Sequence, residues 1–233
     1  MRHTRTRQML AHWMELMCET GVQTDATNRF IFPERSDVEP ARVAPLLGDM
    51  FILDTQNAAP TYRLAGTRLC ATMGREMKDE EFGSTFLGPD QEIAENWLWG
   101  MSADDHIVLL CSDGKNSEGQ TVPLETLLMP LMHHGRRHHR VLGTTVALDA
   151  PYWLGSAPVI GQTIRSVRVL RPWDETPALS PDLVDTSATA PRRPRLGSPE
   201  LIHHSDDVIP FAAEPQSTEK RRASLRVIEG GRT

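Results

Sequence analysis

Apolar and polar positions recur at distinct periods along this chain, and those periods divide it into elements. Leu10, Trp13, Met14 and Met17 fall at i, i+3, i+4 and i+7, with Arg7, Gln8, His12, Glu15 and Glu19 largely off the stripe. That spacing predicts an amphipathic helix ending near Gly21. The stripe either covers its own domain or forms the contact between two copies in a homodimer. Residues 35–48 predict a short helix with Pro40 early and Pro45 bending it. Residues 50–54 and 61–65 read as two strands around a polar turn. Residues 67–73 form a short helix closed by Gly74, and a longer helix starts at Pro89 and Asp90 and stops at Gly100. Ile93 and Trp97 point inward from it.

Three further strands are expected at residues 106–112, 121–132 and 140–148. The turn between the first two lies at residues 113–119, and residues 133–139 form a polar, basic hairpin loop. Pro123 and Pro130 imply bends or an edge position in the strand that holds them. Ile164, Val167 and Val169 add a last short extended piece. From Trp173 the chain turns rich in Pro, Ser, Thr, Ala and Arg, which predicts a mostly disordered tail over residues 173–233 with short apolar and basic segments. The expected division is therefore an N-terminal helix over residues 1–28, a domain over 29–172, and the tail.

Composition narrows the function. The 233 residues carry 39% hydrophobic positions, 17 prolines and a net charge of -6; mean hydropathy is -0.38. An acidic chain excludes broad nucleic-acid or anionic-membrane binding, which needs a basic face. Cys18, Cys70 and Cys111 are few, odd in number and unpaired in spacing, as in a reducing cytoplasm. No run reaches the roughly 20 apolar residues of a membrane span, and no signal peptide is recognised.

The order of elements has a family counterpart. The residues that carry it are Phe32 to Pro40, Leu46-Leu47 with Met50 to Asp54, Tyr62 to Thr67 with Leu69-Cys70, Gly74-Arg75-Glu76, Glu125 to Leu131, and Leu142-Gly143. Over about residues 7–172 the chain resembles a bacterial PAS-type domain family of single-domain proteins. The resemblance implies an α+β fold with a five-stranded antiparallel sheet and helices on one face. It implies a sensory or regulatory protein without catalytic activity, and brings no catalytic motif. Such a protein acts through a small molecule in the cavity between sheet and helices, or through an unidentified protein partner alone with its core filled.

Candidate chemistry is sparse. His133, His134, His138 and His139 flank Arg136, Arg137 and Arg140, whose charges oppose a cation, so no metal site is assigned and an anion-binding loop is the middle reading. The cofactor is left unknown, and a haem or metal sensor stands third behind the small-molecule and partner readings. Haem-binding relatives use a helix histidine; residues 89–100 hold none, and His106 lies just beyond. The Asn-Cys-Arg-Phe motif of flavin-photoactive relatives is absent around Cys70. No GxSxG, Walker loop, HExxH or GxGxxG is present. Arg136 and Arg140 share the spacing of a cyclic-dinucleotide module whose companion motif is missing. The expected ligand pocket comprises Tyr62, Arg63, Trp97, Cys111 and Glu125; Arg63 and Glu125 either pair across the sheet to hold a charge inside or both lie on its solvent face.

Overall fold

The period-two stretches form one sheet. A computed structural model describes residues 1–21, 24–25 and 29–171; the expected tail lies outside the described residues. The strands are β1 (Met50–Asp54), β2 (Thr61–Ala65), β3 (Ile107–Lys115), β4 (Thr121–His133), β5 (Arg136–Ala147) and β6 (Gly161–Leu170), and the helices are α1 (Thr4–Glu19), α2 (Thr67–Met73) and α3 (Asp90–Asp104). The sheet order is β2-β1-β5-β4-β3-β6, antiparallel throughout.

The expected five strands become six. β6 pairs with β3 along its whole length, from Lys115↔Gly161 to Ile107↔Leu170. Its alternation is obscured because the register shifts between Cys111 and Ser112, which changes the phase at which apolar residues face inward. β5 also starts earlier than expected, at Arg136. His134 and Gly135 alone make the turn, both with positive φ (53° and 69°), and His133 pairs with Arg136. This two-residue turn matches the twist of the flanking strands, so the basic stretch is strand rather than loop. Pro123 and Pro130 lie in a central strand, not at an edge. Pro130 escapes the penalty because the β3 pairing begins only at Val108↔Leu128.

Among the helices, α3 runs through Gly100, which is buried, and ends at Asp105 in the left-handed conformation (φ 53°). The expected helix over 35–48 is two 3-10 turns, Arg35–Asp37 and Ala44–Leu46. α2 ends at Gly74 as expected, with φ 64°.

Helices cover both faces of the sheet, not one. On the first face α2 and α3 bury Phe51, Leu53, Tyr62, Leu69, Met73, Phe82, Leu98, Met101, Leu110, Leu128 and Val141. On the second, α1 buries Met9, Trp13, Leu16 and Met17 against Met50, Ile52, Leu109, Leu127, Met129 and Leu142. Adjacent strand residues point to opposite faces, so β1 and β4 supply apolar side chains to both layers.

Candidate functional site

The five residues expected to line one pocket are divided among three places. Tyr62 faces the α2–α3 layer, where its ring lies 5.3 Å from Phe51 and 6.0 Å from Phe82. Phe82 in turn lies 5.4 Å from Phe86. Burial pushes the Tyr62 phenol well above its ordinary value, with the Thr85 side chain as hydrogen-bond partner. Trp97 packs half-buried on the same cluster.

Arg63 sits at the register shift in the β1–β2 pairing and is exposed. Cys111 and Glu125 are register partners on the opposite face, under α1. The Arg63–Glu125 pair does not form, because β1 and β5 separate β2 from β4.

Glu125 is fully buried. Its Oε2 accepts the backbone N–H of Arg2 at 2.7 Å and its Oε1 that of His3 at 3.1 Å. A carboxylate at a helix N-terminus meets free N–H donors and the positive end of the helix dipole. Glu125 therefore anchors the start of α1 to the sheet.

The stripe Leu10, Trp13, Met14 and Met17 packs on the chain's own sheet. Trp13 and Met17 are buried and Leu10 and Met14 half-buried. Trp13 Nε1 donates to the Pro130 carbonyl at 3.0 Å, and its ring lies 6.0 Å from Phe32. The stripe thus takes a covering role on its own sheet.

Two ion-pair groups escaped sequence reasoning. Asp49, just before β1, accepts from Arg5 at 3.1 Å and from Arg68 at 2.8 Å through both of its oxygens. Arg137 meets Asp105 at 2.9 Å and Asp25 at 3.4 Å, and Arg140 meets Asp54 at 2.9 Å. No local spacing signals pairs this distant in sequence. They also settle the electrostatics of the basic hairpin, since aspartates neutralise two of its arginines. Partial burial and the Arg140 charge hold the His133 imidazole below its ordinary value. Among the described residues no group of three or more His, Cys, Asp or Glu is placed to hold a metal ion. Nor is any described helix long and apolar enough to cross a membrane.

An open groove of ≈ 440 Å³ lies outside the first core, at the start of α3. Gly88, Pro89, Gln91, Glu92 and Glu95 line it.

A search of curated proteins gives no match. Among solved structures, the chain is similar to a light-oxygen-voltage domain studied with a flavin analogue, at 13% identity and a TM-score of 0.39, covering 48% of this chain and 85% of that one. It is also similar to the PAS domain of an HTR-like protein from Haloarcula marismortui, at 20% identity and a TM-score of 0.36, covering 48% and 94%. A family model described as a PAS domain matches residues 1–146, which takes in α1 and nearly all of β5. On that match, over more than half of its length, the chain belongs to the PAS domain family.

Proposed function

We propose that this chain is a non-catalytic PAS-type regulatory protein that works through protein–protein contacts, with a filled core between sheet and helices. One observation carries the reading. The layer between the sheet and α2 and α3 is packed with large side chains of the chain itself. Phe51, Tyr62, Phe82 and Phe86 form a continuous aromatic run there, joined by Met73, Met77, Leu98 and Met101, and each is at most 4% exposed. Burial of these rings in one another's contact supports a core filled by the chain over one built around a flavin or haem. Output would then pass to a separate protein, by favouring one of two conformations already accessible to the chain.

Native mass spectrometry of freshly purified protein, with an absorbance scan of the same sample, tests this. A clean protein mass and no chromophore band are expected. A reproducible added mass or a visible band would overturn it in favour of the small-molecule reading, for which the surface groove at α3 is then the first place to look.

A further inference from the structure

His12 is a buried titratable group with one ring nitrogen left without a partner. It lies on α1 between Met9 and Leu16 and is 94% buried, being 6% exposed. Its Nδ1 is 3.8 Å from Glu15 Oε2, longer than a hydrogen bond, and its Nε2 is buried with no partner. The charged groups that bear on it are Arg42, from the segment between the two 3-10 turns, and Glu15 and Glu19 on α1 itself. Arg42 is already held by Glu19 at 2.7 and 2.8 Å and by Glu15 at 3.7 Å.

A proton added at Nε2 creates a buried N–H donor with no acceptor there, and burial together with the Arg42 guanidinium outweighs the attraction of Glu15 and Glu19 for the cation. The same layer carries two other buried hydroxyls without partners, Thr6 on α1 and Thr144 on β5. The apolar contacts of Trp13 and Met9 thus hold α1 down over polar groups that would gain hydrogen bonds if it lifted.

We propose that α1 is a proton-released latch: neutral His12 belongs to the closed form, and its protonation favours a form in which α1 leaves the sheet. The inference goes beyond the reading above and does not depend on what fills the first core.

The sign follows from linkage. Burial first, then Arg42, lower the closed-state affinity of His12 for a proton below the ordinary value of 6.5. The stabilising preference for neutral His12 is complete above that value. It is lost progressively as pH falls from 6.5 toward the closed-state value.

Amide hydrogen exchange on the full chain, corrected for intrinsic rates, tests the latch. Between about pH 7.5 and about pH 5 the opening of Met9, Trp13 and Leu16 amides should grow by up to ~10-fold per pH unit below about 6.5, while β4 and β5 amides hold. His12→Gln should flatten that dependence. An unchanged dependence in His12→Gln, or α1 and sheet amides opening together, would overturn the proposal. Should the variant fail to fold, NMR titration of the wild-type His12 ring decides: a midpoint at or above 6.5 refutes the latch.

Discussion

At the scale of single residues, two positions carry constraints that their residue types do not announce. Gly143 on β5 pairs with Phe51, and a Cβ there would stand 2.1 Å from the Phe51 ring. Gly143→Ala must push that ring into Tyr62 and Phe82, at a cost of about 1–3 kcal/mol, read as a lowered urea midpoint. An unshifted midpoint would mean that the ring yields freely. Glu125→Gln keeps one acceptor and turns the other toward an N–H as a donor. Loss of charge-assisted hydrogen bonds predicts a destabilisation of about 1.5–3 kcal/mol, and a wild-type midpoint would remove Glu125 from its anchoring role. Sequence alone marks Glu125 as a charge that needs a partner if buried. It does not reveal that the partners are backbone N–H groups more than 120 positions away, because a donor every residue possesses leaves no local pattern. Trp97 is legible as inward-facing from helical spacing. Its neighbours in the proposed pocket are not, since the parity of a strand names two faces without saying what covers each.

At the scale of elements, α1 ties the N-terminal end of the chain to the sheet. Trp13 combines an apolar ring packed under the helix with one hydrogen bond to Pro130. Trp13→Phe should cost about 1 kcal/mol for the lost bond, and Trp13→Ala about 3–5 kcal/mol for the emptied volume. Two urea series would separate these terms, and equal losses in both variants would show that the ring volume contributes little. The strands flanking clear turns were legible: residues 50–54 and 61–65 are β1 and β2 as expected. β6 was under-read for a physical reason. Arg165 and Arg168 interrupt its apolar positions, and the register shift beside it breaks the period that strand recognition needs. The basic hairpin was over-read as loop because charged residues suggest solvent. Here Asp54 and Asp105 fold those charges back onto the sheet.

At the scale of the molecule, the sheet is the middle of three layers. A chain lacking residues 1–19 would bare Met50, Ile52, Leu127, Met129 and Leu142, each now at most 3% exposed. A contiguous apolar face of this kind drives association. Size-exclusion chromatography over a dilution series should show the truncated protein self-associating; a monomer at every concentration would mean that the face needs no cover. The layering also governs how freely the sequence can vary. Every residue in 124–131 of β4 is buried, so its apolar positions are closed to polar side chains and its two polar ones, Glu125 and Thr126, are tied to their hydrogen-bond partners. β2, at the sheet edge, keeps exposed positions at Arg63 and Leu64. A saturation-mutagenesis profile should therefore show unbroken intolerance along residues 124–131 and open sites on β2, so that this fold concentrates its capacity for change at the sheet edge.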